Sequence, residues 1–314
     1  MANLSSPINI NQNGERKHGM KGLSVMISLL ILSTSAYSGD TNSVLRESIR
    51  SLKPLKDGEY TMPLAKQLKK DKDAERKLLN FVESYHQKKK AEREAFESLR
   101  VQMGEDNQDI DKVNPPEFYE ERALKEIKSA LDVFNEVKDT EAGLTAVLVV
   151  GAIALRSGSV KNMQPIIDAV EKVEVDFHDT WQAKVAPLLK AALISANVST
   201  IPYKDMQKQR LEVGRSQIEY LRKTMPPKDF VMDTDSPEAR ALLSLFPVRQ
   251  PLRASFLLAI AYRQYEVESS GDGSFKDTVA TCQQIITEYP GTEQAERARK
   301  LAEDQIPAIR ETMK

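Results

Sequence analysis

Apolar positions along this chain recur at helical spacings, and no segment sustains the period-two alternation of a half-buried strand. Between residues 64 and 103 the apolar positions include Leu64, Leu68, Leu78, Val82, Tyr85, Phe96, Leu99 and Met103, on a stretch dense with Lys and Glu. One narrow seam on a charged helix predicts a coiled coil or a long helical hairpin. Lys88-Lys89-Lys90 interrupts that seam, which equally suits a solvated helical arm. A polar loop leads to Pro116, a residue suited to a first helical turn. The return helix it opens carries Ala123, Ile127, Leu131 and Phe134 and folds back antiparallel. Residues 142–155 are the most apolar stretch after residue 38, too short to span a bilayer and therefore a buried core helix. Ser157-Gly158-Ser159 breaks it, and helices are predicted over 163–173, 181–196 and 203–223. The face Trp181, Val185, Leu188, Leu189, Ala192 and Leu193 makes the second of these amphipathic.

Pro226, Pro227, Pro237, Pro247 and Pro251 then punctuate the chain, with a short helix predicted over 238–245. Beyond them lie two helices, the first through Phe256-Leu257-Leu258-Ala259-Ile260-Ala261-Tyr262 and the second over 279–289. The turn Gly271-Asp272-Gly273-Ser274 joins them and Pro290-Gly291 closes the pair. Thr292 is placed to cap a further helix at Ala295. The fold class is all-α, built from stacked helical hairpins. The expected organisation is an export signal over 1–38, a linker with a short helix over 39–62, and a long charged helix with its return over 63–140. A helical-hairpin region over 141–225, a Pro-rich linker over 226–250 and a closing hairpin with a capping helix over 251–314 complete it.

Composition narrows the function. Of 314 residues, 40% are hydrophobic and 6% aromatic, which suits helices packed through Leu and Ala. A net charge of -1 gives no electrostatic case for nucleic acid. Arg16, Lys17 and Lys21 precede the apolar run 23–32, which passes into Ala36-Tyr37-Ser38, small residues suited to a signal peptidase. A start at Met20 would give a conventional short basic leader. Cleavage would remove Arg16, Lys17, Lys21 and Glu15, taking the net charge from -1 to -3. The expectation is an exported, periplasmic or extracellular protein with no transmembrane span once the signal is gone. An uncleaved N-terminal anchor is the minority alternative.

The last 60 or so residues bring a resemblance. Leu258, Ala259 and Tyr262 fall where the first helix of a tetratricopeptide repeat places a leucine, a small residue and a tyrosine. Phe275 fits the aromatic opening the second helix, and Pro290 the closing proline. Thr278 and Ile285 stand where that motif prefers alanine, and Cys282 where it prefers an aromatic; the turn is longer than the motif expects. Residues 252–301 therefore resemble one such repeat. The Tyr289-Pro290-Gly291-Thr292 wording is also similar to repeats of exported envelope proteins that join an export signal, a coiled coil and C-terminal repeats. The resemblance implies a TPR-like α-solenoid that binds a partner protein or peptide, with Leu258, Ala259, Tyr262, Phe275, Thr278, Cys282, Ile285 and Pro290 as packing positions.

No phosphate-binding glycine loop, nucleophile elbow, CxxC or HExxH occurs. His86 on the charged helix reads as solvated. His178, within Asp176-Phe177-His178-Asp179, has carboxylates beside an imidazole, but Asp179 or Thr180 also serves as an ordinary helix cap. Cys282, the one cysteine, reads as a buried apolar residue. No cofactor, metal or catalytic residue is predicted. The expected function is a non-catalytic interaction scaffold of the envelope, its partner contacts drawn from Arg253, Arg263 and Gln264 on the exposed face of the first hairpin helix. Two alternatives stand beside it: an envelope-polymer hydrolase using paired carboxylates, and a coiled-coil organiser self-associating through 64–103.

Overall fold

A helix that is apolar all round must be enclosed by its neighbours, and one such helix is the centre of this molecule. The structure, a computed structural model, describes residues 62–102, 116–158, 163–198, 203–270 and 273–307. The export segment, the short helix expected after it, the loop before Pro116 and the tip of the C-terminal hairpin turn lie outside the described residues. Ten helices appear among the described residues and no strand: α1 (Lys72–Gln102), α2 (Pro116–Val137), α3 (Glu141–Ser157), α4 (Gln164–Asp176) and α5 (Trp181–Val198), then α6 (Tyr203–Thr224), α7 (Pro237–Leu245), α8 (Leu252–Ser269), α9 (Lys276–Glu288) and α10 (Glu293–Lys300).

The central helix is α3. Its residues from Ala142 to Leu155 are all buried, and α1, α2, α4, α5 and α7 pack around it. Glycine sets two of these approaches. A Cβ on Gly143 would sit 2.9 Å from the Lys138 backbone in the tight α2–α3 turn, and one on Gly151 would meet Leu189 of α5 at 3.0 Å. Gly158, at φ 65°, ends the helix in the left-handed conformation that costs glycine little.

The long charged helix starts at Lys72 rather than at Leu64. The Asp71 carboxylate caps it, accepting from the Asp73 and Ala74 amides at 2.9 and 3.1 Å. Its partner α2 runs antiparallel: Lys77 pairs with Glu136, Tyr85 with Glu126 and Glu92 with Arg122, one index rising as the other falls. Leu78, Val82 and Tyr85 of the predicted seam are buried. Glu126, almost fully buried, is stabilised by three donors: the Tyr85 hydroxyl at 3.2 Å, the Arg122 Nε at 3.3 Å and the Lys89 ammonium. A buried carboxylate is tolerable only when its lone pairs are taken up in this way.

Helix α7 folds back onto α1 and α3, far from it in sequence. Ser236 caps it, accepting from Ala239 N at 3.2 Å. His86, read from the sequence as solvated, is instead half-buried and bonded to Ser244 of α7 at 3.0 Å, because this return covers the middle of α1. Burial and the nearby Arg156 charge hold its pKa below the usual imidazole value.

Helices α4, α5 and α6 are tied by Lys190, which pairs with Glu171 and Glu174 at 3.0 and 3.5 Å and lies over the Tyr220 ring. Helix α8 then has two buried faces. Leu252, Phe256 and Ile260 enter the core around α3, while Ala254, Leu257, Leu258 and Ala261 enter a second core with Cys282, Ile285, Ala298 and Leu301. The residues 226–250 contribute Met232, Leu242 and Phe246 to the first of these cores.

The α8–α9 connection closes through Glu268. This side chain accepts from the Asp277 and Thr278 amides, both at 3.0 Å, and from the Thr278 hydroxyl, so a residue of α8 does the capping for α9. Phe275 precedes α9 at φ 52°, its ring fully buried and 5.5 Å from that of Tyr265. Thr292 caps α10 through Ala295 N at 3.2 Å, as its position predicts.

Candidate functional site

Helices α3, α5, α8 and α10 present ends and faces to a shared groove of about 920 Å³, its open mouth included. The floor comes from Leu155 at the end of α3, from Leu188, Ala191 and Ala192 of α5, and from Leu258 and Ala259 of α8. Leu221 of α6 and the loop residues Phe246 and Val248 complete the apolar surface. Alanine at 191, 192 and 259 leaves space that larger side chains would fill. The groove thus owes its room to small residues on neighbouring helices.

Its rim is polar. Arg249, Arg263, Glu293, Gln294 and Arg297 line it. Glu293 bonds two guanidiniums at once: Oε2 accepts from Arg249 Nε and Oε1 from Arg297 Nη2, both at 3.0 Å. Arg263 pairs with Glu266 one turn further along α8. Gln294 is buried, and its Nε2 donates to the Arg249 carbonyl and to Ser255 Oγ, each at 3.0 Å. Its Oε1 has no hydrogen-bond partner.

Of the three residues expected on an exposed face, only Arg263 lines this groove. Arg263 and Gln264 are 9% and 4% exposed, because α8 is enclosed by cores on both sides and polar residues on it are carried inward. Arg253 donates from Nη1 to the Pro226 carbonyl at 2.9 Å, and so fastens the Pro-rich segment. Among the packing positions, Leu258, Phe275, Thr278, Cys282 and Ile285 are buried. Ala259 and Tyr262 are half-buried at the groove, and Pro290 is exposed in the turn that ends α9. Burial pushes the Cys282 thiol up to about 12.

The sequence pattern did not single out Ala191, Phe246, Val248, Gln294 or Arg297. One signal for α5 was present, since its stretch carries apolar residues on more of its circumference than one core face needs. Elsewhere, His178 and Asp179 stand exposed, with Thr180 Oγ1 accepting from Ala183 N at 3.3 Å as the cap of α5. No group of three or more His, Cys, Asp or Glu side chains suited to a metal occurs among the described residues. No helix among them is long and apolar enough to cross a membrane. No family model matches the chain, and no curated protein or solved structure matches it.

Proposed function

We propose that this chain is a non-catalytic interaction scaffold of the cell envelope, which takes up an apolar segment of a partner protein in the groove between α5 and α8. The observation that carries this reading is a concavity between the two cores, its floor apolar and its rim polar. Surface of this kind commonly marks an interaction site. In this reading α3, α5, α8 and α10 form the inner row of a TPR-like stack, and α4, α6 and α9 the outer row. Each inner helix contacts the next, and each outer helix bridges two inner ones, as stacked hairpins require. The N-terminal segment, by its basic and apolar pattern, delivers the chain to the envelope.

The hydrolase alternative draws little from the groove. Glu293 is the one carboxylate among the lining residues, and both its oxygens are occupied by guanidiniums, whereas glycoside hydrolysis uses two facing carboxylates. The coiled-coil organiser needs Leu78, Val82 and Tyr85 for a second copy, and they are buried within this chain.

The test is site-specific photo-crosslinking in native envelope extract. A photoreactive phenylalanine analogue at Ala259 should capture a partner that the same analogue at Val231, 81% exposed and away from the groove lining, does not. Capture should disappear when Ala192 is replaced by Trp in the Ala259-labelled protein. Identical adducts from both positions, or none from Ala259, would remove the groove from any binding role.

A further inference from the structure

We infer that the partner segment the groove accepts is acidic as well as apolar: apolar side chains for the floor, and at least one carboxylate for the rim. This rests on the reading of the groove as a partner site and names the chemistry of its occupant. Three guanidiniums (Arg249, Arg263 and Arg297) line the groove, and Glu293 is the one carboxylate among its lining residues. Their arrangement adds to the count. Glu293 lies between Arg249 and Arg297 with one oxygen to each, so the two guanidiniums are held on either side of a single negative charge. A second carboxylate arriving from solvent meets positive charge on two sides, and the planar guanidinium fork suits it.

The apolar floor and the cationic rim act on different parts of the same segment. Floor contacts alone would accept any greasy chain; the rim selects among them, since opposite charge steers encounter and like charge is rejected.

The inference is tested on the full chain by selection from a random-sequence peptide phage library. Selected peptides are then measured by fluorescence anisotropy. Selected sequences should combine Leu, Phe or Ile with Asp or Glu. Affinity should fall on raising the salt concentration and drop by about tenfold or more in Arg249→Glu. The Arg249 side chain is 64% exposed, so this variant keeps its fold, and circular dichroism checks it. Two failures are distinguishable. Peptides that bind Ala259→Trp and Ala192→Trp as well as the parent lie outside the groove, and sink the partner-site reading itself. Peptides that both substitutions block, yet which are neutral or basic and insensitive to Arg249→Glu, leave the groove as a site and overturn its acidic preference. Dimerisation of the peptide-free protein, reversed by Ala259→Trp, would assign the groove to a second copy and overturn the inference as well.

Discussion

One costly group in the fold is a carboxylate at the start of α7. Glu238 is 8% exposed, and its Oε1 has no hydrogen-bond partner. Burial first, and then the negative charges of Glu75 on α1 and Glu141 on α3, raise its pKa from an ordinary 4.5 to about 7, with Lys70 opposing them. The sign follows from proton binding. Between pH 4.5 and about 7 the folded chain holds a proton that the unfolded chain has released, so stability falls as pH rises through that window. Above it the folded state carries a buried, incompletely bonded charge. Glu238→Gln removes the charge and keeps the shape. The variant should match the parent near pH 4.5 and exceed it by about 1–2 kcal/mol at pH 8. Chemical denaturation at the two pH values measures this, and a difference that does not grow with pH would refute it.

At the scale of elements, α6 and α8 approach closely where Gly214 faces Val267. A Cβ on Gly214 would lie 2.7 Å from Cγ2 of Val267, nearer than carbon atoms pack. Valine is stiff about χ1, so it cannot swing aside and the helices themselves must separate. Gly214→Ala should therefore cost about 1–3 kcal/mol, and adding Val267→Ala should restore most of the loss. Thermal unfolding of the single and double variants decides it; an Ala at 214 that costs nothing, or a loss that Val267→Ala leaves in place, would show that the contact is not limiting. The elements differ in how far their residues announced them. Helix α3 was legible because a long apolar run with no alternation has no solution other than an enclosed helix. The starts of α1 and α9 were not, because Asp71 and Glu268 set them, and Glu268 belongs to a different helix. Arg263 and Gln264 read as solvent-facing because they are polar, and only the packing of α8 on two sides carries them inward. The groove was hidden for a related reason. Leu155, Leu188, Phe246, Leu258 and Arg297 come from five separate segments, and no local pattern brings them together.

For the whole molecule, the question is whether the two cores form one cooperative unit, and α8 decides it. Phe256 belongs to the core around α3 and Cys282 to the core of α9 and α10, and both are fully buried. A rigid helix shared by two cores transmits the loss of one to the other, since α8 cannot leave the first without uncovering Leu257, Leu258 and Ala261 in the second. The cysteine reports this directly. It is the only thiol in the chain, it has no exposed surface, and its raised pKa suppresses the reactive thiolate while the fold is closed. Phe256→Ala should cost about 3–5 kcal/mol. If the molecule opens as one, labelling of Cys282 under native conditions should accelerate by about a hundredfold or more, the same free energy read as a population. A lowered melting temperature with unchanged Cys282 labelling would mean that the second core opens on its own. The groove would then span two independent bodies, and its width would be set by their relative motion instead of by the alanines on α5 and α8.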